Sequence, residues 1–378
     1  MSKGAALPAD SMLSYPFRLA CLLLSLHLVG CGPSKESAES AVAEYELNLQ
    51  KGQSSDDKVV PRPPELVRAL GVGLNDQRAA IIFLQAAGKR PFGVFQRNLL
   101  SVQVGAQKGY KVTSFDASDD PDTQRKQFAE AAASKPAAII LDPTDDANLD
   151  TYISDAVQAG ILVIGLDKRA SGCTSTVHCD PQLIGRAAAT ICIDALKRKA
   201  AEEALTEPAG RIVQLRGTET SWWSGQIAQG FEQALRAQSW AVLVHDAPAD
   251  WTAENVSKRL QEAYRIQKQF DVIFAHSDLM AAAASIATSS FGSRENTLII
   301  GADGLPGRTS GLELLRNGEI DATIAHPPLV DLALKLILKI RSDSSFAPEP
   351  AYEIPPLAVT PKNHAKVSRQ GSYTLPDL

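Results

Sequence analysis

Ala137-Ala138-Ile139-Ile140-Leu141-Asp142-Pro143-Thr144-Asp145-Asp146 is an uninterrupted apolar run that stops abruptly in a polar, proline-bearing loop. A short aliphatic stretch without polar alternation suits a strand covered on both faces, as in parallel sheets packed between helices. Short apolar runs recur on either side, at 79–84, 111–115 and 161–164, and again at 211–215, 241–244, 272–275 and 298–300, several of them near-continuous in aliphatic residues. Between these runs the spacing turns helical. Leu149, Tyr152, Ile153, Ala156 and Val157 lie on one face, as do Val256, Leu260, Ala263 and Tyr264, and Leu329, Leu332, Ala333, Leu336, Ile337 and Ile340. Strand–helix alternation of this length predicts the α/β class, with doubly wound parallel sheets and right-handed crossovers. A chain of 378 residues exceeds one ordinary core. The strands divide near Cys179-Asp180, so two lobes are expected.

In sheets of this kind a ligand sits beyond the carboxyl ends of the strands. The residues at those ends are polar here: Asp142 to Asp146, Asp167-Lys168-Arg169, Ser277-Asp278 and Asp303-Gly304. Aspartate is a good helix cap, which accounts for Asp145, Asp146 and Asp278. It accounts less well for Asp167, which no apolar helical stretch promptly follows. Aromatic residues make up only 6% of the chain, so Trp251 in the polar loop Pro248-Ala249-Asp250-Trp251 stands out. It is either one wall of a site or a hydrophobic staple for the next helix.

Several chemistries are poorly supplied. The formal net charge of −5 offers no basic face for nucleic acid. The six histidines are scattered, no Cys/His pair has zinc-ligand spacing, and Gly217-Thr218-Glu219-Thr220-Ser221 is not a nucleophile elbow. Gly301-Ala302-Asp303-Gly304 lacks dinucleotide or P-loop spacing. No enzyme, catalytic residue, cofactor or metal is therefore expected.

The N-terminus carries a different signal. After Arg18 an apolar run too short to span a bilayer leads to Leu28-Val29-Gly30-Cys31, which resembles a lipobox cut before a lipid-bearing cysteine. Residues 1–30 read as a lipoprotein signal peptide, with Met12 an alternative start. Residues 31–76, polar and proline-bearing, read as a tether. In an oxidising compartment Cys173 and Cys179, which bracket a strand-like stretch, are candidates for a disulfide. Cys192 shares an apolar helical face with Ile184 and Ala188 and reads as core.

From Ala79 to Ile340 the chain resembles the ribose-binding family of type I periplasmic sugar-binding proteins. The landmarks stand in order: Arg90-Pro91-Phe92, Gly109-Tyr110, Ile140 to Asp145, Gly165 to Arg169, Gly230-Phe231, Phe274 to Ala281, Ile300 to Gly304 and Ala322 to His326. The resemblance implies a three-stranded hinge between the lobes, and lobes made of 77–179 plus 326–342 and of 180–325 plus 343–378. It implies that Asp167 and Asp303 accept hydrogen bonds from sugar hydroxyls, beside Lys168 where the family has arginine. Phe92 and Trp251 would flank the sugar ring, whose C–H faces suit aromatic contact.

Departures fall in the same loops: Arg90 and Ser277 replace asparagines, Gly93 a phenylalanine, Gly225 an arginine with Trp222 and Trp223 upstream, and His326 a glutamine. The expected ligand set is Arg90, Phe92, Asp167, Lys168, Trp223, Trp251, Ser277, Asp303 and His326, and the changes suggest a bulkier or less uniformly hydroxylated ligand than ribose. The implied function is that of an exported, monomeric lipoprotein, periplasmic and membrane-bound only through Cys31. It would capture a sugar or polyol by hinge closure and deliver it to the permease of an ABC importer, or present it to a sensor receptor. The related repressors carry an N-terminal DNA-binding helix pair, which the signal and tether displace here.

Overall fold

The computed structural model describes residues 80–378 except 108, 169, 308, 309 and 371–377. The expected signal peptide, Cys31, the tether and Arg169 lie outside the described residues.

The first half of the described chain runs β1 (Ala80–Gln85), α1 (Pro91–Ala106), β2 (Lys111–Asp116), α2 (Pro121–Ala133), β3 (Ala138–Leu141), α3 (Asp150–Gln158), β4 (Leu162–Leu166) and β5 (Ser175–His178). The second runs α4 (Pro181–Glu202), β6 (Gly210–Arg216), α5 (Trp222–Leu235), β7 (Ala241–Pro248), α6 (Ala253–Ile266), β8 (Val272–Ala275), α7 (Asp278–Ser290), β9 (Leu298–Asp303), α8 (Gly311–Arg316) and β10 (Ala322–Ala325). The chain then returns through α9 (Val330–Ser342), β11 (Ala351–Glu353), β12 (Leu357–Val359) and α10 (His364–Gln370).

Each apolar run read from the sequence is a strand, and their alternation with helices gives two six-stranded sheets. The orders are β11-β5-β4-β3-β1-β2 and β12-β10-β9-β8-β6-β7. Every pairing is parallel except β10 with β12. Ile139, Ile140 and Leu141 are wholly buried, as are Val272, Ile273 and Phe274. Burying a side chain of this size contributes about 1.5–3 kcal/mol, so central strands of this composition hold a sheet covered on both faces.

Helix starts are set at the same strand ends. Asp120, Asp180, Ser221, Thr252 and Ser277 each accept a backbone N–H of the first turn of α2, α4, α5, α6 and α7. Such caps contribute about 1 kcal/mol each. Against expectation, Ser277 rather than Asp278 caps α7, and neither Asp145 nor Asp146 caps α3, the helix that follows them, which starts only at Asp150.

The lobes are joined at three places: between β5 and α4, between β10 and α9, and between β11 and β12. The third crossing corrects the expected boundary. Residues 343–378 do not all go to the second lobe, because Ala351 to Glu353 pair with Thr176 to His178 of β5. The chain returns only at β12, where Leu357 to Val359 join β10. The strands are three residues each and carry little pattern of their own; pairing with an edge decides them.

No disulfide joins Cys173 and Cys179. The intervening β5 is extended, which separates the two by roughly 15–20 Å at about 3.3 Å per residue, far beyond the roughly 7 Å a bridge tolerates. Cys192 is buried with Ile184, Ala188 and Leu196 along α4.

Candidate functional site

A cavity of about 190 Å³ lies between the lobes, at the carboxyl ends of both sheets. All nine residues of the expected ligand set line it. At about 15 Å³ for a buried water, the space equals that of roughly a dozen waters, the size of a small solute.

From the first lobe come the loops after β1, β2, β3 and β4. Arg90, at the start of α1, places its guanidinium Nη2 2.6 Å from Asp119 Oδ2 and its Cζ 5.2 Å from the centre of the Trp251 ring across the cleft. Lys168 donates to Asp145 Oδ1 at 2.8 Å. Asp145 reaches over with its other oxygen to accept the Trp222 N–H at 3.1 Å. Asp145 is thus a link between lobes, receiving the partial positive charge at the start of α5.

From the second lobe come Trp222 and Trp223 at the head of α5, Trp251 after β7, Ser277 and Leu279 after β8, and Asp303 at the end of β9. Trp251 is seated by a tight turn beneath it. A side chain at Gly217 would place its Cβ 2.0 Å from the indole, so only glycine permits this approach. The turn is held from below: Gly217 N–H donates to Ser224 Oγ at 2.8 Å, and Ser224 Oγ lies 3.1 Å from His276 Nδ1. Burial pushes His276 down to about 3, with the Arg216 charge adding to the effect. The imidazole is therefore neutral, and it shares one hydrogen bond with the Ser224 hydroxyl. A Ser–His pair of this kind resembles a nucleophile and base, but both residues are sealed below the cleft at 1% exposure. Their work here is to fix the turn.

The hinge residue His326 joins both walls. Its ring stacks on Phe92 at 4.2 Å and lies 4.9 Å from Trp223. Its Nε2 is 3.2 Å from Asp167 Oδ1, and its backbone N–H donates to the Asp303 carbonyl at 3.0 Å. Asp167 Oδ1 also accepts the Cys179 N–H at 3.3 Å. Phe92 is thus a cleft wall and not core.

Strain concentrates at this site. Asp167 has φ +52°, Trp251 +61° and Asp303 +109°, a region that side chains other than glycine rarely adopt and that costs about 1–3 kcal/mol per residue. Asp303 is also electrostatically strained, its pKa pushed well above the usual carboxylate range by burial and then by Asp278. Asp278, behind it, is raised to about 7 by burial although it accepts from Gly304 N–H at 2.7 Å and Thr323 Oγ1 at 2.6 Å. Asp142 is raised to about 7 by desolvation and by the charge of Asp167.

Sequence reasoning left Asp119, Asp142, Thr144, Asp145 and Leu279 out of the expected ligand set, although all five line the cavity. Asp142, Thr144 and Asp145 follow β3 in a loop that the strand-end rule picks out, with Asp145 read there as a helix cap, whereas Asp119 follows β2, a loop to which the rule was not applied. Among the described residues no group of His, Cys, Asp and Glu is arranged to hold a metal ion.

A family model described as "periplasmic binding protein domain" matches residues 101–338. The ribose import binding protein RbsB of Salmonella typhimurium is 27% identical over 236 residues, covering 61% of this chain and 75% of that protein. Among solved structures, the fructose-binding periplasmic domain of a hybrid two-component system aligns with TM-score 0.66 at 23% identity, over 76% of this chain and 92% of its own. A Caulobacter myo-inositol binding protein, bound to myo-inositol, aligns with TM-score 0.65 at 24% identity over 80% of this chain and 99% of its own.

Proposed function

The chain belongs to the periplasmic binding protein domain family, and from that membership we propose that it captures a small sugar or sugar-like polyol between its lobes and delivers it to an ABC-type importer. It is a binding protein and not an enzyme. One observation carries the ligand class: acidic side chains and aromatic faces from two separately folded lobes converge on one cavity of solute size. Carboxylates accept hydroxyl hydrogens strongly, at about 1.5–3 kcal/mol for each charge-assisted bond, and indole or phenyl faces cover the C–H surface of a sugar ring. Neither half-site is complete alone. The ligand therefore prefers the closed arrangement, and that difference in affinity drives closure.

Family membership supports a periplasmic location, and the Leu28-Val29-Gly30-Cys31 motif supports anchoring through a lipid on Cys31. Presentation to a receptor or sensor kinase uses the same closed shape; the likeness to a two-component periplasmic domain supports it at the level of fold.

A thermal-shift screen of the full chain over monosaccharides and polyols tests the proposal. Ligand at about 100-fold excess over its dissociation constant stabilises by about 2.7 kcal/mol, so a true ligand raises the melting temperature by several degrees. A flat response to pentoses, hexoses and cyclitols alike would overturn the sugar reading.

A further inference from the structure

The proposed sugar-like ligand leaves one feature of its cleft without a partner, namely charge. Five carboxylates line the cavity, Asp119, Asp142, Asp145, Asp167 and Asp303, with Asp278 directly behind the last. The lysine and arginine side chains among the lining residues are Lys168 and Arg90. Both are engaged, Arg90 with Asp119 at 2.6 Å and Lys168 with Asp145 at 2.8 Å. Asp142 and Asp303 then face the cavity with no lysine or arginine in ion-pair distance among the described residues, and Asp167 has His326 alone.

Two further polar atoms point to a missing guest. Thr144, 3% exposed, lines the cavity with its Oγ1 unpartnered, and Trp251 Nε1 across the cleft is likewise buried without a partner. The Trp251 ring already accommodates a cation, the Arg90 guanidinium.

A neutral polyol would satisfy hydrogen bonds but leave carboxylate charge uncompensated in a confined site. An anion would add like charge. A protonated amine supplies donors and a positive charge together, which the described residues do not offer to Asp142 or Asp303 within ion-pair distance. We propose that the ligand is a sugar-like polyol bearing a protonated amino group, an amino sugar or amino-cyclitol, with its nitrogen held by Asp142 and Asp167. The inference rests on the sugar reading above and narrows it. Asp142 and Asp167 are chosen because they follow the paired neighbouring strands β3 and β4 of the first lobe, where their charges act directly on one another, whereas Asp303 ends β9 in the second lobe.

Calorimetric titration of the full chain with matched sets tests it: glucose, glucosamine and glucuronate; galactose, galactosamine and galacturonate; myo-inositol and an amino-inositol. Near neutral pH the amino member of at least one set binds about 10-fold or more tighter than its hydroxyl counterpart, and the acids do not bind, as expected for one new charge-assisted contact. Asp142 accepts a proton near pH 7 when the cleft is empty. Lowering the pH from about 7 to about 5 therefore weakens the amino member about 10-fold and leaves the neutral one within about 2-fold. Asp142→Asn brings the amino-to-hydroxyl ratio close to unity, with circular dichroism checking that the variant is folded. Neutral members binding as tightly as amino members in every set would overturn this inference while sparing the sugar reading. Failure of every member to bind would overturn both.

Discussion

The wall that the first lobe turns to the cleft carries Arg90, Asp119, Asp142, Asp145, Asp167 and Lys168, whereas the second lobe offers Trp222, Trp223, Trp251 and Leu279 around a single lining carboxylate, Asp303. The first wall is held by ion pairs within its own loops. The second is held by packing, through the glycine turn beneath Trp251 and the Ser224–His276 contact. This division teaches that the lobes contribute different physics: one supplies directional, charge-dependent hydrogen bonds, the other apolar faces that need only be in place. His326 and Asp145 connect the two. Affinity should therefore respond differently to damage on each side.

The largest effect is expected at Asp303, the only lining carboxylate of the second wall among the described residues. Asp303→Ala should weaken the best sugar-like ligand about 100-fold or more, the equivalent of two or three hydrogen bonds at about 1 kcal/mol each. The melting temperature of the unliganded protein should stay nearly unchanged. Titration calorimetry and thermal melts together check this, and a large loss of apo stability would make Asp303 structural and erase the contrast between walls.

A smaller loss tests packing. Gly217→Ala drives a Cβ into the indole and should displace Trp251, reducing affinity about 10-fold, in line with the roughly 0.5–1.5 kcal/mol of an aromatic contact beyond its area burial. The accompanying shift in tryptophan fluorescence should appear before ligand is added. Unchanged fluorescence and affinity would mean that Trp251 does not need its present seat.

The smallest effect concerns stability. Asp142 and Asp278 titrate near pH 7 in the folded protein instead of near 3.8. Between those values the folded chain holds more protons than the unfolded one, so stability falls as pH rises from about 4 to about 7 and levels off above. At about pH 7.5, Asp142→Asn should raise the melting temperature by about 2–4 °C for each kcal/mol of relieved desolvation. Melts across this range would divide the slope between the walls. A slope that persists in the variant belongs to the other carboxyls that burial raises, Asp278, Asp303 and Asp331; none at all would show that none of these groups is desolvated.

Much of this was legible in the chain itself. The run 137–141 and its central counterparts announce strands because strands covered on both faces lack polar alternation, whereas the edge strand β2 alternates exposed and half-buried residues. The loops that follow them announce a site because ligands of such sheets gather there. Less legible were Asp145 and Asp278, read as helix caps. A capping aspartate and an interlobe aspartate have the same local sequence, and only what stands opposite distinguishes them. Likewise Cys173 and Cys179 are close in number but far apart along an extended strand.

Local periodicity determined the class of fold, the order of its elements and the loops that bear the site, because burial of neighbouring residues leaves its period in the sequence. Only the tertiary structure decided that Asp145 meets Trp222, Arg90 meets Trp251 and Asp167 meets His326. Those partners come from different lobes or from the hinge, and their distance depends on how three crossings orient two rigid sheets. No neighbouring residue carries a record of that angle.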